Sequence, residues 1–176
     1  MTTYLDNAAT SFPKPEAVYA AMDEQRQARG LTWQQVMREI SGAFARAARP
    51  ISPSTVTTMR TKAVAEGDGV LQMLRWLGRT PESFIRGHRV TPEDALAAAT
   101  STQILRFDTK QLHAALDAQR TERRLTWTQV ASEIGGVSAA MLTHLSNGGR
   151  TSFPHVARIA GWLGRPVASF VRAVDR

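Results

Sequence analysis

The sequence LTWTQVASEIGGVSAAMLTHLSNGG, at residues 125–149, carries the clearest signals for local structure in this chain. It holds two short amphipathic patterns on either side of a double glycine at 135–136. The apolar residues that recur at helical spacing in these patterns are Val130, Ala131, Ile134, Leu142 and Leu145. Glycine readily adopts the backbone angles of a sharp turn, so the stretch predicts two short helices that are joined by a tight corner.

Polar residues mark the ends of both helices. Thr126 with Gln129 fits a capping box, in which the threonine oxygen and the glutamine side chain each accept a backbone N–H at the helix start. Ser138 is the predicted N-cap of the second helix. The sequence Asn-Gly-Gly at 147–149 predicts that this helix stops there.

Much of this stretch and of its flanks occurs twice in the chain. Ala20–Ile40 returns as Ala114–Ile134 with 13 of 21 positions identical, and Val70–Gly87 returns as Val156–Ala173 with 8 of 18 identical. We call the first occurrence copy 1 and the second copy 2. Two copies are too few for a solenoid, so each copy is expected to bury its own core.

The patterns predict an all-α chain of two tandem five-helix domains. The predicted segments are a leader at 1–11, domain 1 at 12–89, a short helical linker at 90–106 and domain 2 at 107–176. The linker contains a helix start and the run ALAAA, which favours helix, before a polar joint at 100–103. A last short helix is expected at Val167–Val171.

The corner sequence of copy 2 resembles the phage-repressor and Cro-like (XRE-type) helix-turn-helix family. The residues that carry the resemblance are Gln129, Ala131, Gly135, Val137, Ser138 and Leu142. It covers nearly all of residues 107–173 and implies lambda-repressor-like domains whose helix after the turn enters the DNA major groove. Copy 1 keeps a similar corner at 51–57, but ten residues, Ser41–Pro50, stand where copy 2 has two glycines.

The resemblance implies a set of DNA-contacting residues in each copy. In copy 2 they are Gln129, Ser138, Ala139, Ala140, Thr143, His144, Asn147 and Arg150. In copy 1 they are Gln35, Ser52, Pro53, Ser54, Thr55, Thr57, Thr58, Arg60 and Lys62, with Arg46 or Arg49 as further phosphate contacts. Alanine and threonine offer methyl contact to thymine, whereas His144 and Arg60 offer hydrogen bonds to base edges.

Composition and charge favour a nucleic-acid partner over a membrane surface. The 176 residues include 22 basic and 15 acidic side chains, for a net charge of +7, and 19 of the basic residues are arginine. Arginine is well suited to binding phosphate and guanine. The absence of cysteine excludes disulfides, thiol catalysis and cysteine-ligated zinc. No apolar run approaches the length of a membrane span. We therefore expect double-stranded DNA as the partner, no membrane association, and a cytoplasmic, nucleoid-associated location.

Other chemistry is weakly represented. The four histidines, at 88, 113, 144 and 155, lack metal-ligand spacing, and no phosphate-binding loop or catalytic triad is visible, so we expect no metal and no cofactor. The tryptophans occupy equivalent places in the two copies and are expected in the core rather than against bases. They are Trp33, Trp76, Trp127 and Trp162.

The start of the chain carries a second resemblance. Residues 4–15, YLDNAATSFPKP, resemble the N-terminus of cysteine desulfurases and related class V aminotransferases. Those enzymes need a pyridoxal-phosphate lysine in a long α/β chain. Here Lys14, Lys62 and Lys110 lie in no recognisable cofactor motif and the catalytic cysteine is missing, so we expect no enzyme activity.

Two functions remain open on sequence alone. One is a repressor-like transcriptional regulator whose two copies contact successive major grooves, about 34 Å apart. The other is a protein-interaction module, such as an antitoxin or adaptor, in which one or both copies bind a protein partner; a homodimer is also open. Arginines around the helix starts at Ser52 and Ser138 would favour DNA, whereas apolar, uncharged faces would favour a protein partner.

Overall fold

The computed structural model describes residues 15–42, 67–84, 89–100 and 103–175 of the chain. The α-helices within these residues are α1 Pro15–Ala28, α2 Trp33–Gly42, α3 Gly67–Leu77, α4 Thr109–Glu122, α5 Trp127–Ile134, α6 Ala139–His144 and α7 Phe153–Leu163. The strands are β1 Gln103–Phe107 and β2 Val171–Asp175. Short 3-10 helices occupy Pro81–Phe84, Pro92–Asp94, Leu145–Asn147 and Val167–Phe170. None of the helices in this part of the chain has both the length and the apolar character needed to span a membrane.

A two-stranded antiparallel sheet overturns the predicted all-α fold. β1 pairs with β2 so that Leu105 lies opposite Ala173 and Phe107 opposite Val171. The predicted helix at Val167–Val171 is instead one 3-10 turn that leads directly into β2. The described residues are mostly helical, but they do not divide clearly into two five-helix domains.

Side chains of α3 cover the outer edge of β1. Gln72 donates to the Leu105 carbonyl at 2.6 Å, and the Phe107 amide donates to the Asp68 carboxylate at 3.1 Å. Arg75, one turn further along the same face, donates to the Gln103 carbonyl. An edge strand otherwise exposes unpaired backbone groups, so copy 1 completes the hydrogen bonding of a strand whose partner, β2, begins in copy 2.

The predicted helical linker is also wrong. The capping box at Thr91 forms, but the helix it starts ends after the single 3-10 turn Pro92–Asp94. The backbone is extended at Ala95, with φ −63° and ψ 131°. Arg75 donates to the carbonyls of Ala99 and Thr100 at 3.0 and 3.1 Å, so these acceptors are satisfied by a tertiary contact rather than by helical amides.

The buried apolar residues of the two copies form one continuous cluster rather than the two separate cores expected. Helix α3 of copy 1 packs against α7 of copy 2. Glu82, which is fully buried, accepts a hydrogen bond from the Val167 amide at 2.6 Å and so links the two copies directly. The two copies therefore pack against each other and share one core.

Each copy carries the same network of glutamate, arginine and tryptophan. In copy 1, Glu39 accepts hydrogen bonds from Arg29 and from the Trp76 indole N–H, both at 2.8 Å. The hydrogen bond from Arg29, and then that from Trp76, hold the pKa of Glu39 below its ordinary value. The equivalent residues of copy 2 are Glu133, Arg123 and Trp162. All four tryptophans are half-buried and pack against the core.

Candidate nucleic-acid interface

The start of α5 is fixed by the predicted capping box, which the structure confirms. The Gln129 amide donates to the Thr126 hydroxyl at 3.2 Å, and the Thr126 amide donates to Gln129 Oε1 at 2.8 Å. Because Oε1 is occupied, the exposed Nε2 is left as the free donor of the Gln129 side chain. Thr32 and Gln35 form the same box at the start of α2.

Two glycines turn the chain between α5 and α6. Gly135 has φ 75° and Gly136 has φ 69°, a backbone region that side chains with a Cβ rarely adopt. Ser138 then caps α6, since its hydroxyl accepts the Met141 amide at 3.1 Å. The corner that the sequence predicted is therefore present, with Val137 half-buried inside it.

Helix α6 buries one side and exposes the other. Leu142 is fully buried and Leu145 nearly so, which anchors the helix against α5 and the core. The expected DNA-contacting residues that lie exposed are Gln129, Ser138, Ala140, Thr143, His144, Asn147 and Arg150. Ala139 is half-buried and packs against the core, so it is less accessible than its neighbours.

Hydrogen bonds within α6 set what its outer side chains can offer a ligand. The Thr143 hydroxyl donates to the Ala140 carbonyl at 2.9 Å, which leaves its methyl group and an acceptor lone pair. Asn147 Nδ2 lies 3.1 Å from His144 Nδ1. When Asn147 Nδ2 is the donor in this contact, Nδ1 accepts and the neutral imidazole carries its proton on Nε2, from which it can be donated to a base edge.

The loop after α6 packs against the start of α4 and gathers polar and basic groups that the sequence analysis missed. The Thr109 hydroxyl donates to the Gly149 carbonyl at 3.0 Å. Lys110 and Arg172 line an open pocket of about 650 Å³ together with Asn147. These residues are remote in sequence, and only the packing of α4 against residues 145–147 brings them to the end of α6.

Arg158 of α7 is another residue at this site that the sequence did not predict. Its guanidinium donates to the Gly135 carbonyl at 3.1 Å, in the turn between α5 and α6. The neighbouring His155 has a pKa lowered by burial and then by the charge of Arg158. Helical spacing in α7 gives no sign of this contact, because it depends on where α7 crosses the turn.

The acidic side chains near α6 are paired with arginines. Asp108, which lines the pocket beside Asn147, lies 3.6 Å from Arg172. Glu133 is the only acidic residue from Trp127 to Asn147. Its carboxylate is held by Arg123 at 2.7 Å and by the Trp162 indole, and these hydrogen bonds lower its pKa. Among the residues that the structure describes, Val90 is the only large hydrophobic one that is exposed.

Most of the expected contacts of copy 1 lie outside the described residues. These are Ser52, Pro53, Ser54, Thr55, Thr57, Thr58, Arg60 and Lys62, together with Arg46 and Arg49. Gln35 is described and is exposed in the first turn of α2. Comparison of the chain with protein-family models, with curated proteins and with solved structures gives no match.

Proposed function

We propose that this protein is a DNA-binding transcriptional regulator that reads the major groove with α6. The observation that carries the proposal is the unit formed by α5, the turn at 135–138 and α6. Its second helix is anchored by Leu142 and Leu145, and its outer side is exposed. A short helix held in this way is the element that helix-turn-helix proteins insert into the major groove.

The exposed side of α6 suits modest base recognition. Ala140 and the Thr143 methyl offer apolar contact to the thymine methyl group, and His144 Nε2 offers a donor to the guanine or adenine edge. None of these groups makes the two-pronged contact that arginine makes to guanine. A large share of the affinity should therefore come from phosphate contacts.

Phosphate contacts can form on both sides of the reading helix. At the start of α5, free backbone amides and Gln129 Nε2 can donate to a phosphate. Beyond the end of α6, Lys110 and Arg150 are exposed. In copy 1 we assign a base-edge contact to Arg60 and a phosphate contact to Lys62, so the two copies together supply three cations to phosphates.

The shared core supports a single chain with two reading heads. Because α3 packs on α7, the two copies belong to one hydrophobic core instead of hanging on a flexible tether. The proposal places them in successive major grooves about 34 Å apart, on a site without a palindrome because the reading segments differ. Such a protein would act in the cytoplasm, bound to the nucleoid. A protein-docking role is less well supported, since the side of α6 that faces outward carries no large apolar side chain.

Selection of bound sequences from random DNA, followed by titration of the selected site, tests the proposal. With three cations on phosphates, a fourfold rise in salt should weaken binding by about 40-fold. Thr143→Ala with His144→Ala should lower the preference for the selected site by about tenfold, since each good base contact contributes that much or more. Thr121→Ala, at an exposed threonine of α4, is the control and should change neither quantity. Failure to enrich any sequence, or affinity that does not respond to salt, would reject the proposal.

A further inference from the structure

Arg158 and Gly136 fit together at the turn between α5 and α6. The guanidinium lies against the Gly136 Cα, and a Cβ at this position would overlap Arg158 Nη1. The same nitrogen donates to the Gly135 carbonyl at 3.1 Å. One side chain of α7 thus holds one glycine by a hydrogen bond and covers the next.

The position in copy 1 that is equivalent to Arg158 has a different residue, with a different hydrogen-bond partner. The match of the two copies places Gln72 opposite Arg158. Gln72 donates to Leu105 at the edge of β1, whereas Arg158 donates to the turn. The arginine therefore occurs in the copy with the two-glycine turn, and it is not part of the scaffold that the copies share.

We propose that Arg158 is a positioning residue that fixes the angle between α5 and the reading helix α6. The turn contains two glycines, whose backbone is unusually free, so a tertiary clamp is needed to hold one arrangement. The consequence for DNA rests on the proposed function: the clamp sets how α6 enters the groove. It raises affinity for the correct site more than affinity for DNA in general.

The clamp is tested first in the free protein. Arg158→Gln, which installs the residue of copy 1, should change the angle between α5 and α6 measured by residual dipolar couplings. It should also speed exchange of the Gly135 amide, which donates to the Ala131 carbonyl at 2.9 Å, by about tenfold, the effect of losing one net hydrogen bond. Arg165→Gln is the control. It removes the same charge just beyond the end of α7, where the guanidinium lies over Phe170, and should change neither measurement.

A second variant keeps the test valid if Arg158→Gln does not fold. Gly136→Ala keeps Arg158 in the sequence, but the added Cβ should displace its guanidinium from the turn. Gly164→Ala is its control, because Gly164 has a similar φ of +67° with nothing within 4 Å of the added Cβ. Gly136→Ala should reproduce the changed angle, and Gly164→Ala should not.

DNA binding then separates positioning from direct contact. Arg158→Gln should weaken binding to the selected site by about tenfold, with little change for unrelated DNA and an unchanged salt dependence. A phosphate contact would instead reduce the slope of log K against log salt by about 0.9 and weaken all sequences alike. That result would overturn the proposal. So would an angle between α5 and α6 that is the same in Arg158→Gln as in the control Arg165→Gln. If the wild-type protein bound no DNA, the proposed function would fail, but the measurements in the free protein would still decide whether Arg158 holds the turn.

Discussion

Arg124 in copy 2 has a left-handed backbone conformation that is strained for a residue with a Cβ, whereas glycine occupies the equivalent position in copy 1. Arg124, just after α4, has φ 55°, and its equivalent Gly30, just after α1, has φ 65°. Both positions close the helix in the same way, because Leu125 donates to the Arg120 carbonyl and Leu31 to that of Arg26, each at 2.9 Å. This left-handed position favours glycine, so we expect Arg124→Gly to stabilise the protein.

The magnitude follows from two opposing effects. A left-handed conformation costs a residue with a Cβ about 1–2 kcal/mol, and Arg124→Gly removes that strain. Glycine gains about 0.5–1 kcal/mol of extra entropy in the unfolded chain, which offsets part of it. The side chain is exposed, so little packing is lost. The net gain is about 0.5–1 kcal/mol, or a rise in Tm of about 1–4 °C for a chain of this size.

Thermal and urea unfolding of matched variants measure this effect. Gly30→Arg should lose about as much as Arg124→Gly gains, because a Cβ at Gly30 meets no atom within 4 Å and only the backbone strain is added. The double exchange should return close to the wild-type Tm, since the two sites share no partner. A lower Tm for Arg124→Gly, or a higher one for Gly30→Arg, would refute the reasoning.

Three further predictions concern other parts of the fold. Glu39 and Glu133 have pKa values below the ordinary glutamate value of 4.5, so their ion pairs stabilise the fold at pH above 4.5. This stability is lost as the pH falls through the pKa values of the folded state. Replacing both glutamates by glutamine should therefore flatten the dependence of the unfolding free energy on pH in this acid range. Ser138→Ala should cost about 1 kcal/mol by removing the cap of α6, and urea unfolding should show it, with Ser146→Ala as an exposed control. Gln72→Leu leaves the buried Leu105 carbonyl without its donor and should cost about 1–3 kcal/mol, measured by loss of far-UV circular dichroism on heating.

Local signals in the sequence predicted the elements that local interactions determine. Thr126 with Gln129 and Ser138 mark helix starts because their hydrogen bonds span only three residues. The double glycine marks a turn because its backbone angles are available to glycine alone at little cost. For the same reason, the exposed face of α6 could be deduced from Leu142 and Leu145.

Contacts between distant segments decided what the sequence did not predict. QILRF and VRAVD pair as strands although more than 60 residues separate them, and neither segment indicates its partner. The run ALAAA favours helix by propensity, yet its residues are not helical, and Arg75 donates to the Ala99 carbonyl at the end of the run. Lys110 and Arg158 reach the candidate interface only through the packing of α4 and α7. Propensity is worth tenths of a kcal/mol per residue, so a few tertiary hydrogen bonds outweigh it.

The two copies are joined by an asymmetric contact, and this asymmetry bears on how they could read DNA. Glu82 of copy 1 accepts from the Val167 amide of copy 2. The equivalent pair in the opposite sense is Ala168 and Pro81, and neither can make that bond, because alanine has no carboxylate and proline has no N–H. The internal duplication therefore cannot form a symmetric pair about this contact. If the protein reads DNA with both copies, as proposed, copies that differ in this way require a DNA site whose halves differ in sequence, and selection from random DNA should return such a site rather than a palindrome.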